Sequence, residues 1–165
     1  MAESNKIVVE RVFDTPVESV WKAWTDPHEV SKWWGPRNFV SPDNKIDLRA
    51  GGKYVFAMQA TGEMAEQFGD KPMHSGGVYK EIIERKKLVF TDNFTDADGN
   101  PVSPETYGMP ADFPENLEIT VELEELPGGK TKLTLTHRGL PAGEMADQTE
   151  GGWKESFDKL AESLA

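Results

Sequence analysis

The chain has 165 residues, 37% of them hydrophobic and 10% aromatic, which fits one domain with a real core, since about 150 residues bury roughly 70% of their unfolded surface. With no cysteine, there is no disulfide, thiolate metal site or cysteine nucleophile. A formal charge of −11 argues against nucleic acid, whose binding rests on cation–phosphate contacts, and against anionic membrane surfaces.

Residues 6–13 (KIVVERVF) form a β-branched run that predicts a strand. Asp14 or Thr15 is placed to cap a helix, Pro16 suits its first turn, and Glu18 completes a capping-box pattern with Thr15. Val17, Val20, Trp21 and Trp24 then recur at helical spacing. A second start at Asp26-Pro27 leads through Val30, Trp33 and Trp34, and Gly35-Pro36 ends that short helix. Four of the five tryptophans thus fall within fourteen positions, and their surface must find partners elsewhere in the fold.

The period then changes from helix to strand. Residues 39–48 read as one strand with Pro42 near its start, 49–52 as a turn, and 53–59 place Tyr54, Phe56 and Met58 on one face. Further strands are expected over 76–83, 87–94, 117–123 and 132–137. Short turns at 84–86 and 127–130 imply antiparallel hairpins. Leu117, Ile119, Val121 and Leu123 alternate with Glu118, Thr120, Glu122 and Glu124, giving a sheet with one buried and one wet face. A final helix is expected from about 142 to 164, with Met145, Trp153, Phe157, Leu160, Ala161 and Leu164 on its apolar side. Within it, Gly151 and Gly152 each cost roughly 1 kcal/mol, which predicts a bend or a close approach. The stretches 60–75 and 95–115 fit neither period and are long enough to be binding loops or lids. Nothing divides the chain, which reads as one domain over 1–165. No apolar run approaches the ~20 residues that span a bilayer and the first six hold no apolar leader, so a cytoplasmic protein is expected.

Several motifs together carry a family resemblance. Val12-Phe13-Asp14-Thr15-Pro16, Val20-Trp21-Lys22-Ala23-Trp24-Thr25-Asp26-Pro27, Trp33-Trp34-Gly35-Pro36 and Asp47-Leu48-Arg49-Ala50-Gly51-Gly52 come first. They are followed by Gly77-Val78-Tyr79-Lys80-Glu81-Ile82, Leu88-Val89-Phe90-Thr91, Thr131-Lys132-Leu133-Thr134-Leu135-Thr136 and Glu150-Gly151-Gly152-Trp153. The chain resembles, from about residue 6 to 164, the family named for the activator of heat-shock protein 90 ATPase. That family lies in the START-like superfamily, with the birch-pollen-allergen-like and polyketide-cyclase folds. The resemblance implies an α+β helix-grip fold: a curved antiparallel sheet wrapped around a long C-terminal helix, with a cavity between them. It implies a scaffold rather than one activity, so function has to come from the site.

Trp34, Phe56, Met58, Phe90, Trp153 and Phe157 are the candidate walls of that cavity, and the same side chains would also serve a solid core. Met64, Met73, Met109 and Met145 add polarizable surface. The histidines, His28, His74 and His137, show no metal-ligand spacing, and neither metal nor cofactor is expected. His74 precedes Ser75-Gly76-Gly77 beside the methionine-bearing loop; with Tyr79, Asp92 or Glu81 it is placed to orient a ligand carbonyl or move a proton. Asp96-Ala97-Asp98-Gly99-Asn100 resembles the start of a calcium loop. Pro101 and Tyr107 stand where glycine and glutamate are required, so a turn is the reading.

Three functions are open. The first is binding of an apolar or aromatic small molecule, gated by the two long loops. The second is a protein-interaction module, a chaperone being one such partner, with Trp33, Phe39 and the 95–115 loop as the candidate exposed patch. The third is cyclase, hydratase or hydrolase chemistry, which needs polar groups converging on the cavity; His74 is its seed, and no catalytic residue is assigned. The wet face bearing Glu118, Glu122 and Glu124 argues against face-to-face dimers, leaving a monomer or weak dimer.

Overall fold

The computed structural model describes residues 6–69, 71–107, 109, 114, 117–140 and 143–164. Among them, β1 (Lys6–Phe13), β2 (Phe39–Val40), β3 (Asn44–Ile46), β4 (Lys53–Ala60), β5 (Met73–Ile83), β6 (Lys87–Thr95), β7 (Leu117–Leu126) and β8 (Lys130–Arg138) form one antiparallel sheet. The order across it is β1-β8-β7-β6-β5-β4-β2, with β3 also on β4. The helices are α1 (Val17–Thr25), α2 (Pro27–Val30), α3 (Gly62–Phe68) and α4 (Glu144–Ser163). This is the helix-grip fold: a curled half-barrel sheet holding α4 in its concave side.

The predicted hairpins form, β5 with β6 and β7 with β8, because the turns between them are too short for any other pairing. Three local expectations are corrected. The stretch 39–48 is two short strands, broken where Pro42 follows Ser41, whose hydroxyl donates to Ala57 O at 2.7 Å. Thr15 does not cap α1: Pro16 is the N-cap residue with no side-chain bond, and Thr15 O instead accepts from Thr131 Oγ1 at 2.8 Å. The connection 60–75 is not all loop, since it contains α3 and the first residues of β5. The expected cap of α2 does form, with Asp26 Oδ1 accepting from His28 N at 2.8 Å. Of the 95–115 stretch, residues 108, 110–113 and 115 lie outside the described residues, as does the expected start of the last helix at 142.

Directly paired residues of antiparallel strands face the same side, so register defines the concave face. Val9, Leu135 and Val121 are one row of partners; Ile7, His137 and Ile119 are the next. Phe90 opposes Ile119 on one side and Tyr79 on the other. The sheet comes in tightly at Gly77, where a Cβ would lie 2.2 Å from Thr91 O. Gly77 is the partner of Tyr54, whose hydroxyl crosses it to donate to Thr91 O at 2.6 Å. The outer face carries Val8 and Val12, about half exposed, and ion pairs such as Lys132 with Glu10.

The tryptophan-dense opening supplies the centre of the core. Trp24 lies 4.7 Å from the Trp33 ring and 6.2 to 6.4 Å from Trp34, Phe90, Trp153 and Phe157. Trp33 is fully buried with its Nε1 donating to Ala23 O at 3.0 Å, so it offers no surface for a partner.

The second half of α4 is fastened at several points. Arg11 pairs with Asp158 at 2.7 Å, Arg37 with Glu162, and Arg37 N donates to Glu155 Oε1. Lys159 Nζ donates to the carbonyls of Gly35 at 3.0 Å and Phe39 at 2.9 Å, with Pro36 O at 3.4 Å. Burial of this ammonium lowers its pKa. Lys159→Met keeps the stem but removes the charge-assisted bonds, and is expected to cost about 1–3 kcal/mol. Urea unfolding should show a lower midpoint at unchanged slope.

Candidate ligand site at the loop end of the concave face

Antiparallel pairing collects the starts of β1, β5 and β7 and the ends of β4, β6 and β8 at one end of the sheet. The connections 61–72, 96–116 and 139–143 all leave from this end. In the middle of the concave face Tyr54, Phe56, Tyr79, Phe90 and Ile119 are fully buried. At the loop end Met58, Met73, Ser75, Asp92 and Phe94 are only half-buried. Met58 opposes Met73, and Ser75 is flanked by Phe56 and Phe94. Tyr107 leans on Phe94, ring centres 5.7 Å apart, and its hydroxyl donates to Thr95 O.

Most of the expected wall residues come together. Trp34 lies 4.7 Å from Phe56 and 5.5 Å from Trp153, which is 5.7 Å from Phe157, and Tyr79 lies 6.0 Å from Phe90. These rings touch one another at edge-to-face and tilted angles, the arrangement aromatic pairs prefer. They form a packed floor, and Met58 stands at its rim. His74 is not brought to them. Its register partners are Ala57 and Thr95, which puts it on the sheet face opposite Phe56 and Phe94.

Two polar groups on the concave face take its place. Asp92, which the sequence suggested only as a helper of His74, follows Leu88 and Phe90 on the inward side of β6 and receives the Tyr54 hydroxyl at 3.3 Å. Burial pushes its pKa up to about 7, against a smaller lowering by the Tyr54 bond, and burial also pushes the Tyr54 phenol well up. His137 was weighed in the sequence only as a metal ligand, although a further signal was there: Leu133, Leu135 and His137 share the inward alternation of β8. It is 4% exposed, its Nδ1 accepts from Trp153 Nε1 at 3.0 Å, and burial lowers its pKa to about 4. Indole can only donate, so Nδ1 is unprotonated and the proton of the neutral ring is on Nε2. Nε2 has no hydrogen-bond partner among the described residues, and neither have Trp24 Nε1 and Trp34 Nε1.

Other surfaces offer less. A shallow depression on the outer face contains Lys80, Glu81, Lys87 and Glu118, but these charges pair with one another, Lys80 with Glu118 at 2.7 Å and Lys87 with Glu81 at 3.2 Å. Among the described residues no three acidic or histidine side chains converge as a metal site.

The model of the family described as Activator of Hsp90 ATPase homolog 1-like protein matches residues 14–165. The chain belongs to this family. Among solved structures it is similar to protein CV1439 from Chromobacterium violaceum, with 27% identity over 97% of this chain and 96% of that one, at a TM-score of 0.74. An AHSA1 protein from Silicibacter pomeroyi shares 23% identity over 96% of both chains, with a TM-score of 0.72. A protein from Arthrobacter aurescens shares 23% over 99% of this chain and 88% of that one, with a TM-score of 0.78. Likeness at these last two identities bears on the fold alone. No curated protein matches. No helix among the described residues is long and apolar enough to cross a membrane.

In this family member α4 runs continuously through Gly151 and Gly152, without the expected close approach. A Cβ on Gly151 would meet nothing within 4 Å, and one on Gly152 only Pro36 Cγ at 4.0 Å. Gly151→Ala and Gly152→Ala are therefore each expected to stabilise by about 1 kcal/mol, raising Tm by roughly 2–4 °C in calorimetry.

Proposed function

We propose that the chain binds an apolar or aromatic small molecule at the loop end of the concave face, over the floor made by Trp34, Phe56, Phe90 and Trp153. Membership of the family supports the coarser reading, a ligand-binding or co-chaperone-type module. The observation that carries the finer one is the change of burial along the concave face. The middle is packed, while Met58, Met73 and Phe94, apolar side chains that gain by leaving water, stay half-buried at the end where the long connections gather. Flexible methionines at such a rim suit ligands of varied outline.

The test is a thermal-shift panel of naphthalenes, indoles and medium-chain lipids. A ligand at one hundred times its Kd stabilises by about 2.7 kcal/mol, a rise in Tm of several degrees. Met73→Lys, which sets a charge at the rim, should abolish the shift while moving the ligand-free Tm little. A panel without any shift overturns the proposal.

A further inference from the structure

The first two turns of α4 differ from the rest of the helix. Residues 144–150 include no fully buried side chain, and no hydrogen bond or ion pair among the described residues ties them to another element. Met145 and Ala146 rest half-buried against the core, and the polar fastenings to other elements begin only beyond Gly151 and Gly152: Trp153 to His137, Asp158 to Arg11, Lys159 to the 35–39 carbonyls. The two glycines answer to no steric need, yet they weaken the helix at the border between its loose and its fastened parts. The direction of packing places the loose part. Phe13 meets Phe157, and Val8 and Val9 share a groove with Glu150 and Lys154, so α4 continues toward Ile7 and its cross-strand partner His137.

At that position the imidazole is held by Trp153 with one N–H unspent. A buried donor without a partner costs about 1–3 kcal/mol, and the imidazole carries this cost at Nε2 while its Nδ1 satisfies the Trp153 indole. The group is explained if it has a partner when the helix end moves aside. We propose that His137 Nε2–H is the anchoring donor for a carbonyl oxygen on the apolar or aromatic ligand, reached by displacement of the first two turns of α4 about Gly151–Gly152. The proposal rests on the ligand-binding reading above and adds the class of ligand: a ketone, aldehyde, ester or amide with an apolar body. The ring stays neutral at physiological pH because burial holds its pKa near 4, which favours a neutral acceptor over a carboxylate.

Two shape-matched probes test it, 2-acetylnaphthalene and 2-isopropenylnaphthalene, which differ in C=O against C=CH2. The wild-type protein is expected to bind the ketone about tenfold more tightly, the worth of one hydrogen bond, in titration calorimetry. His137→Leu should bind both with the affinity the wild type shows for the alkene. Equal binding of the two probes by the wild type overturns the anchor and leaves the ligand site standing; binding of neither overturns both. Should the variant not fold, 15N-histidine spectra of the wild type decide, since the ketone must shift the Nε2–H resonance of His137 and an unmoved resonance refutes contact. The Gly151→Ala/Gly152→Ala double variant should slow ketone association several-fold with the probe preference intact, and an unchanged rate removes the route through α4.

Discussion

Trp24→Ala should lose about 3–5 kcal/mol of unfolding free energy, the largest effect expected of a single substitution in this chain. The indole is 2% exposed and touches Trp33, Trp34, Phe90, Trp153 and Phe157, so it joins both tryptophans of the 31–34 turn to the sheet and to α4. The surrounding rings are rigid and supported from three different elements, which limits their collapse into the space left behind. The cost therefore approaches the top of the range for large-to-small changes. At roughly 2–4 °C per kcal/mol for a chain of this length, Tm should fall by about 10 °C or more. Val12→Ala, on the exposed face of β1 at 51% exposure, should remain within about 0.5 kcal/mol. Parallel urea titrations at pH 7 check both. A Trp24→Ala loss below 1 kcal/mol would mean that the aromatic cluster is not the centre of stability.

His137→Leu should change the pH dependence of stability more than stability at pH 7. The native ring titrates near 4 against 6.5 when unfolded, so the unfolded chain binds more protons between these values and stability falls as pH falls through that window. Fully expressed, the loss from pH 7 to pH 4 is about 3 kcal/mol in this 4% exposed position. The leucine variant should not show it. At pH 7 the two proteins should be close, because the variant removes the unpaired Nε2–H but strands Trp153 Nε1 without its acceptor. Asp92 works in the opposite sense: its native pKa, raised from 3.8 to about 7, means stability lost as pH rises through the same window. In the wild type the two slopes offset each other. The variant should therefore reveal a stability that declines from pH 4 to pH 7. Urea midpoints at pH 4.5, 5.5, 7 and 8 measure this; parallel curves for the two proteins would refute the buried, neutral state of His137.

What the amino-acid order determined by itself is what repeats over a few residues. The alternation of Leu117, Ile119, Val121 and Leu123 against glutamates and threonine sets β7 and its buried face, and the brevity of 84–86 and 127–130 sets two hairpins. The crowd of tryptophans at 21–34 required distant partners, and the motif set pointed to the helix-grip scaffold that the family match shows. The two glycines in α4 were visible as a weakness, though not why they are tolerated. Tertiary structure alone decided the rest of the site. A slip of one residue in register exchanges the two faces of a strand, so nothing local tells that His74 lies with Ala57 and Thr95 while His137 lies with Ile7 and Ile119. The bonds from Trp153 to His137, from Tyr54 to Asp92 and from Lys159 to the 35–39 carbonyls join residues 16 to 124 positions apart. Their chemistry is set by burial, which belongs to the assembled sheet and helix and to no segment of either.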